Sequence, residues 1–214
     1  MLGIYGCGGL GRELYDLAVR VNNAKSYWDK IVFVDDSYSN NMLNGIEILS
    51  FDRFGNLQGS KNIIIAVGEP KTRELLCKKV ESCGIMLATL VDPTSLVSGS
   101  AQLNDGVIIS EFCSVHSNAV IGRNTLVQPF CCIGHDIFIG NNSLLSTSVN
   151  IGGGSVIGDR VFLGMNCTIL QNIEIGSDTI VGMGSVVYRN IVDGVTILGN
   201  PARETKSNEN RKVF

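Results

Sequence analysis

A six-residue repeat runs without insertion through the second half of the chain. Its seventeen consecutive units each open with Val, Ile or Leu: Val91, Val97, Leu103, Ile109, Val115, Ile121, Val127, Ile133, Ile139, Leu145, Ile151, Ile157, Leu163, Ile169, Ile175, Val181 and Val187. Mostly small residues follow four positions later, among them Ser95, Ala101, Cys113, Ala119, Thr125, Ser143, Ser155, Thr179 and Ser185. A fixed short period over this length predicts a solenoid of stacked coils, which excludes a helical bundle or an open sheet.

Each unit is long enough for one short strand and one corner. Three units then close a triangular coil of eighteen residues, with the opener pointing inward and the small residue at the corner. β-branched openers suit a strand that faces a packed interior. Residues eighteen apart should therefore stack, which places Cys113, Cys131 and Cys167 in one corner column as small buried side chains. Solenoids of this type are mostly acyltransferases, so the fold favours that function by analogy.

Composition excludes several classes of protein. The 214 residues carry a net charge of −3 with no Lys/Arg cluster, so we expect no nucleic-acid binding. No apolar run approaches eighteen residues, which argues against membrane insertion. Seven cysteines without a framework spacing fit a reducing cytoplasm. Two histidines and no Cys-x-x-Cys pair argue against a zinc site, and we expect no metal.

The first ninety residues read as the start of a nucleotide-binding α/β domain. A strand over Leu2–Tyr5 leads into the glycine turn Gly6–Gly11, and apolar spacing then predicts a helix over Arg12–Val21. Glycines such as Gly8 and Gly9 let the backbone approach a phosphate closely at a helix N-terminus. The alternative is a tight strand–helix connection with no ligand.

Two further strands are predicted, and they support the ligand interpretation. Ile31–Val34 ends at Asp35 and Asp36, whose carboxylates suit ribose or base hydrogen bonds, and Ile63–Val67 ends at Gly68. A helix is predicted over Lys71–Cys83. Because the carboxyl ends of parallel strands meet at one edge, a ligand should bind there. The unit is about half the size of a full dinucleotide-binding domain, so a nucleotide or nucleotide-sugar is a better candidate than NAD.

The chemistry is expected at one corner of the coils. His135 is the third residue of its unit and should point outward beside Asp136, and an imidazole titrates near neutral pH, which suits a general base. A solvated surface pair is the alternative. Eighteen residues further on, Gly153 lies within three consecutive glycines, so a bare backbone N–H should lie about 5 Å from His135. A base and an oxyanion donor together suit acyl transfer. His116 is offset from His135 by nineteen residues and is interpreted as structural or peripheral.

In these features the chain resembles the sialic acid O-acetyltransferase (NeuD) family, which includes PglD-type and perosamine N-acetyltransferases. The resemblance covers nearly the whole chain and rests on five short motifs: Ile4–Gly11, Val34–Asp36, Ala66–Gly68, Gly134–Asp136 and Gly199–Arg203. It implies an α/β Rossmann-like N-terminal half-domain followed by a left-handed parallel β-helix. It also implies a homotrimer, with acetyl-CoA in a groove between neighbouring β-helices and a nucleotide-linked sugar on the N-terminal domain.

The resemblance also implies roles for individual residues. His135 would be the base, Asp136 its support and Gly153 the donor to the acetyl carbonyl. Members usually carry His where this chain has Leu10, and members of the bacillosamine type also carry His where it has Leu144. The resemblance also implies two binding sets. Acetyl-CoA would contact Leu144, Gly153, Met165 and Met183. The nucleotide-linked sugar would contact Gly8, Gly9, Leu10, Asp35, Asp36 and Gly68.

The sequence therefore predicts three segments and one leading function. Residues 1–90 form the nucleotide-sugar-binding domain, 91–203 the β-helix and 204–214 a flexible tail. The leading function is N-acetylation of a nucleotide-linked amino sugar from acetyl-CoA, with no metal. O-acetylation of a sialic acid-like sugar is the alternative among enzymes. A non-catalytic scaffold that binds a nucleotide-sugar is the alternative from another class.

Overall fold

An α/β domain precedes the stacked coils in the computed structural model, which describes residues 1–208, 210, 212 and 213. Its elements are β1 (Leu2–Tyr5), α1 (Gly9–Lys25), β2 (Ile31–Val34), β3 (Met42–Leu43), β4 (Ile46–Leu49), α2 (Phe51–Gly55), β5 (Asn62–Ile65), α3 (Pro70–Ser82) and β6 (Met86–Leu87). The sheet order is β3-β4-β2-β1-β5-β6, and every neighbouring pair is parallel except β3 with β4.

The predicted N-terminal strands and helices are confirmed, with shifted boundaries. The first helix begins at Gly9 rather than Arg12, because the end of the glycine turn already forms its first turn. The third long strand ends at Ile65, and the last helix begins at Pro70, a residue well suited to a first helical turn. The short elements β3, β4, α2 and β6 were not predicted.

The coils consist of two-residue strands separated by corners. They are β7 (Leu90–Val91), β8 (Leu96–Val97), β9 (Gln102–Leu103), β10 (Ile108–Ile109), β11 (Ser114–Val115), β12 (Val120–Ile121), β13 (Leu126–Val127), β14 (Cys132–Ile133), β15 (Phe138–Ile139), β16 (Leu144–Leu145), β17 (Asn150–Ile151), β18 (Val156–Ile157), β19 (Phe162–Leu163), β20 (Thr168–Ile169), β21 (Glu174–Ile175), β22 (Ile180–Val181) and β23 (Val186–Val187). Every third strand pairs in parallel, as in Ile109 with Val127 and Val127 with Leu145. The predicted eighteen-residue stacking is therefore confirmed.

The openers form the core of the β-helix, and the residues after them explain its tight packing. Ile121, Ile139 and Ile157 are fully buried. The glycine that often follows an opener is required by the next coil: a Cβ built on Gly140 would lie 2.6 Å from the Gly158 carbonyl carbon and 2.7 Å from the Asp159 nitrogen. Such a separation is far below van der Waals contact.

Small residues at the corners bind one coil to the next. The Thr125 hydroxyl donates to Gly140 O at 2.8 Å, and the Ser143 hydroxyl donates to Gly158 O at 3.1 Å. Cys113, Cys131 and Cys167 are buried in their predicted column. The interior corner positions therefore satisfy backbone carbonyls that would otherwise be buried without a partner.

The N-terminal domain packs on one face of the β-helix. The residue before each opener points outward, and on this face it is apolar: Leu90, Ile108, Leu126, Leu144, Phe162 and Ile180. The first four share a buried cluster with Leu14, Leu17, Ala18 and Val21 of α1. The two domains therefore have a common hydrophobic core, which fixes their relative position.

Arg73 joins the same two domains by hydrogen bonds. Its side chain is fully buried and donates to Ile65 O and Val67 O at the end of β5, and to Asn124 O and Oδ1 at a β-helix corner. Burial lowers the pKa of Arg73 to about 10, which leaves the guanidinium charged at neutral pH. Several carbonyl dipoles thus offset the cost of burying the charge.

A hairpin follows the last coil. Its strands are β24 (Val195–Gly199) and β25 (Ala202–Ser207), which pair antiparallel. The predicted tail over 204–214 therefore starts too early, because Glu204 to Ser207 pair with β24 and only the later residues lie beyond the hairpin. The tail positions 209, 211 and 214 lie outside the described residues. Within the described chain, no helix has the length and apolarity needed to cross a membrane.

We expect Gly140→Ala to lower the free energy of unfolding by about 1–3 kcal/mol, because the added methyl group collides with the backbone of the next coil. Gly99→Ala is the matched control, since a Cβ there meets no described atom within 4 Å. Urea unfolding of both variants measures the difference. Equal stabilities would show that the coils can separate to accept a side chain at the position after the opener.

Candidate active site

The glycine turn of the N-terminal domain leaves an open surface beside α1. Gly6 needs its left-handed conformation (φ 108°), and a Cβ on Gly11 would overlap the Gly6 carbonyl oxygen. By contrast, a Cβ on Gly8 or Gly9 would have no described atom within 4 Å. Packing within the described residues therefore explains Gly6 and Gly11 and leaves room for a ligand at Gly8 and Gly9. Since the described chain provides no side-chain cap for α1, the positive end of this helix is available to an anion.

The two predicted carboxylates already have partners in their own domain. Asp35 accepts the Cys7 N–H at 3.1 Å and the Ser37 N–H and hydroxyl, so it holds the glycine turn against the end of β2. Burial pushes the pKa of Asp35 upward, but the hydrogen bonds from Ser37 and Cys7 outweigh it and leave that pKa below its ordinary value. Asp35 is therefore ionised at neutral pH, beside the turn.

Asp36 faces the other side of the sheet. It accepts hydrogen bonds from the Tyr5 hydroxyl at 2.7 Å and the Phe51 N–H at 2.7 Å, and it forms an ion pair with Lys79 of α3 at 2.9 Å. Burial raises and these bonds lower the pKa of Asp36, which lies below its ordinary value. These contacts give Asp36 a structural task, and its predicted contact with a substrate stays a prediction.

A pocket between the domains brings together five predicted residues. It has a volume of about 470 Å³ and is lined by Leu10, Gly68, Leu144, Met165 and Met183. Its lining also includes residues that were not predicted: Gln128, Ser146, Phe162, Gly164, Ile180, Gly182 and Val213. Phe162 and Ile180 stack on Leu144 at eighteen-residue spacing, so the repeat itself could have indicated them. No sequence pattern points to Val213.

A second, more polar groove continues from this pocket along α1. It has a volume of about 440 Å³ and shares Leu10, Gln128 and Met165 with the apolar pocket. Arg20 crosses this region and pairs with Asp92 at 2.6 Å and Glu111 at 2.9 Å. A continuous channel therefore runs along one corner of the β-helix, below the N-terminus of α1.

His135 and Asp136 form the predicted pair. The His135 Nδ1 lies 2.7 Å from Asp136 Oδ2, and both side chains are exposed. An ionised carboxylate can only accept a hydrogen bond, so Nδ1 carries the proton and the lone pair of neutral His135 is on Nε2. This arrangement can remove a proton from a bound group. His116, by contrast, contacts Ser114 Oγ at 3.1 Å on the adjacent outer face.

Gly153 lies directly against the His135 imidazole. A Cβ built on Gly153 would lie 2.6 Å from Nε2 and 2.7 Å from Cε1 of His135, so a side chain at this position would displace the ring. The glycines on either side of Gly153 are required for other reasons. Gly152 packs against Gln171 of the next coil, and Gly154 adopts the left-handed conformation with φ 70°. The Gly153 N–H donates no hydrogen bond to any described residue, so it is available beside the base.

The base and the apolar pocket occupy different corners of the coil. His135 follows β14 in the sheet that contains β8 and β11, whereas Met165 follows β19 in the sheet against the N-terminal domain. One full outer face of the β-helix separates these two corners. Within a single chain, His135 and the apolar pocket therefore lie at different corners of the β-helix.

Sequence comparison identifies both domains. Residues 1–80 match the family described as the PglD N-terminal domain, and residues 154–189 match the bacterial transferase hexapeptide family. The first match covers the strands, the glycine turn and the helices before the repeat, and the second covers part of the repeat. This confirms the resemblance predicted from the sequence.

The chain is similar to a curated protein, the GDP-perosamine N-acetyltransferase of Escherichia coli O157:H7. The two are 30% identical over 127 residues, which is 58% of this chain and 57% of that relative. The chain thus matches little more than half of the length of that curated protein.

Solved structures match nearly the whole chain. The acetyltransferase domain of PglB from Neisseria gonorrhoeae, in complex with acetyl coenzyme A, is 26% identical with a TM-score of 0.89, covering 95% of this chain and 98% of that one. PerB from Caulobacter crescentus, in complex with CoA and GDP-perosamine, is 26% identical with a TM-score of 0.85, covering 95% and 96%. The predicted fold, with its α/β domain and hexapeptide β-helix, is confirmed.

Proposed function

We propose that this protein transfers the acetyl group of acetyl-CoA to the amine of a nucleotide-linked amino sugar. The observation that carries the proposal is the His135–Asp136 pair above the bare backbone of Gly153. The relatives support the choice of substrates, since one is a GDP-perosamine N-acetyltransferase and solved structures of others hold acetyl-CoA, CoA or GDP-perosamine.

In the proposed reaction, His135 is the general base. The neutral acceptor amine attacks the thioester carbonyl, a C–N bond forms, and Nε2 of His135 takes the proton that the amine loses. The Gly153 N–H donates to the carbonyl oxygen as negative charge develops there. The C–S bond then breaks, and His135 returns its proton to the departing sulfur of CoA. Asp136 keeps the Nδ1 proton in place throughout and stabilises the imidazolium.

The channel between the domains is the proposed substrate site. Apolar side chains such as Leu144, Met165 and Met183 suit the pantetheine arm of acetyl-CoA. The open turn at Gly8 and Gly9, next to the N-terminus of α1, suits the phosphates of the nucleotide-sugar. Leu10 and Gly68 lie where the two ligands would meet, and Asp35 and Asp36 belong to the same strand edge.

The separation of the base from the pocket supports a site made by two chains. In a homotrimer, the corner with His135 of one copy can face the pocket of the next copy, and three such contacts close a ring. The homotrimer predicted from the sequence is therefore part of the proposal.

Two alternatives from the sequence use the same features. Sugar O-acetylation would use the same base on a hydroxyl, and the N-acetyltransferase relative favours the amine. A scaffold without activity would not need a glycine directly against the imidazole of His135. A cytoplasmic location stays a prediction, based on the seven free cysteines.

We expect His135→Ala to lower turnover by about 10²–10⁴-fold, the usual contribution of a general base. Stability should change little because the side chain is exposed. Thiol release from acetyl-CoA measures the rate, and thermal melting measures stability. His116→Ala is the control and should keep most of the activity. Normal turnover in His135→Ala would rule out the assigned base.

We expect Gly153→Val to abolish acetyl transfer while nucleotide-sugar binding survives. The branched side chain would displace the His135 imidazole and cover the backbone N–H, whose loss alone costs roughly 10²–10³-fold. Calorimetry with a panel of nucleotide-sugars tests binding in the same variant. Gly99→Val, in the same corner column with open space around it, is the matched control. Wild-type rates in Gly153→Val would place the acyl site elsewhere.

We expect two inactive variants to restore activity when their chains are mixed. His135→Ala removes the base but keeps the pocket, whereas Leu10→Trp fills the pocket but keeps the base. A mixed trimer can therefore contain an intact site, with the pocket from a His135→Ala chain and the base from a Leu10→Trp chain. Light scattering should report a trimer. The design is to unfold, mix and refold the two variants and then assay thiol release. A fully active monomer, or no recovery in verified mixed trimers, contradicts the two-chain site.

A further inference from the structure

We propose that Asn118 is a positioning residue, whose side-chain amide holds the Asp136 carboxylate in the orientation that Asp136 needs to hold His135. The inference rests on the proposed function, because it assigns a task to Asn118 in the same proton transfer. Asn118 occupies the coil before His135, in the corner column of Asp136.

The hydrogen bonds form a chain across two coils. Asn118 Nδ2 donates to Asp136 Oδ1 at 2.9 Å, while Asp136 Oδ2 accepts the Nδ1 proton of His135 at 2.7 Å. The amide orientation is fixed by chemistry, because an ionised carboxylate needs a donor and the amide oxygen is not one. Each carboxylate oxygen therefore has its own side-chain partner. Without Asn118, the carboxylate is free to rotate and its hydrogen bond to the imidazole weakens.

Both ends of the Asn118–Asp136 bond lie on rigid backbone. Asn118 adopts φ 59° and donates its N–H to Ser100 Oγ at 3.1 Å. Asp136 adopts φ 56° and donates its N–H to Ser117 O at 2.9 Å. Asparagine and aspartate tolerate this left-handed conformation better than other residues with a side chain. The corner therefore presents the amide and the carboxylate to each other at a fixed distance.

The charge distribution around the pair agrees with this role. The Asn118 amide, and then the His135 imidazole, hold the pKa of Asp136 below its ordinary value. The coils on either side of His135 contribute Ser117 and Gly153, neither of which titrates. Asp136 is thus the charged group in contact with the base among the described residues, and its orientation decides which nitrogen of His135 carries the proton.

A similar asparagine contact elsewhere shows what a structural role looks like. Asn124 Nδ2 donates to Asn142 Oδ1 at 2.9 Å, and Asn124 is buried where it also binds Arg73. That contact supports the domain interface. Asn118 and Asp136 are both exposed, where one hydrogen bond adds little to stability. The hydrogen bond from Asn118 to Asp136 therefore contributes to the orientation of the carboxylate rather than to the stability of the fold.

The test compares Asn118→Gly with Asn142→Gly. Glycine removes the amide without straining the left-handed backbone, so both variants should fold. Asn118→Gly should lower kcat about 10–100-fold with an unchanged KM, the range typical of outer-shell groups that orient metal-bound imidazoles. Nitrogen NMR of the imidazoles, of which the chain has two, should show His135 losing its preference for a proton on Nδ1. Asn142→Gly should leave that preference unchanged.

A second variant gives an independent signature. Asn118→Asp places another carboxylate against Asp136, and the added negative charge favours protonated His135. The acid limb of the kcat/KM profile should then move to higher pH, since the base must be neutral to act. A shift of this limb would show that position 118 is electrostatically coupled to the base.

An unchanged His135 tautomer in Asn118→Gly overturns the proposal, whatever happens to the rate. So does an unmoved acid limb in Asn118→Asp. The tautomer is measured without substrate, so this result does not depend on the proposed function. If His135→Ala stays active, the proposed function fails even when the tautomer responds to Asn118.

Discussion

The parallel pairing of strands eighteen residues apart is the constraint on which the rest of this structure depends. It fixes the distance between His135 and Gly153, and it places Asn118 beside Asp136. It also forces glycine after many openers, because the next coil lies too close for a Cβ. A single insertion within the repeat would shift every later residue to a different face. The uninterrupted period is therefore a condition for the site as well as for the core.

The same register turns one face of the β-helix into a docking surface for the N-terminal domain. The residues before the openers differ from face to face: Leu126 and Leu144 point toward α1, whereas Ser114 and Cys132 occupy the equivalent position on the next face. Arg73 then joins the end of β5 to the β-helix corner that it contacts. Because the domain is fixed in this way, the open glycine turn lies at the mouth of the channel along the β-helix.

Local patterns predicted most of the fold and the pair at His135. The openers, the glycine turn and the eighteen-residue spacing are properties of nearby or regularly spaced residues, so they can be read without a structure. The short strands β3 and β6 have too few residues to show a periodic pattern. They form because they pair with β4 and β5 at the two edges of the sheet. The extension of the hairpin to Ser207 depends on pairing with β24. The partners of Asp36 come from three separate elements, which no spacing reveals.

Acetyl transfer to nitrogen separates the proposed reaction from its alternatives, and the chemical linkage in the product tests it directly. Purified protein is incubated with acetyl-CoA and a nucleotide-linked amino sugar, and the product is treated with hydroxylamine before mass spectrometry. Hydroxylamine cleaves acetyl esters and leaves acetyl amides intact. The proposed function predicts one acetyl group that survives the treatment. An acetyl group lost to hydroxylamine, or no transfer to any nucleotide-linked amino sugar, would contradict it.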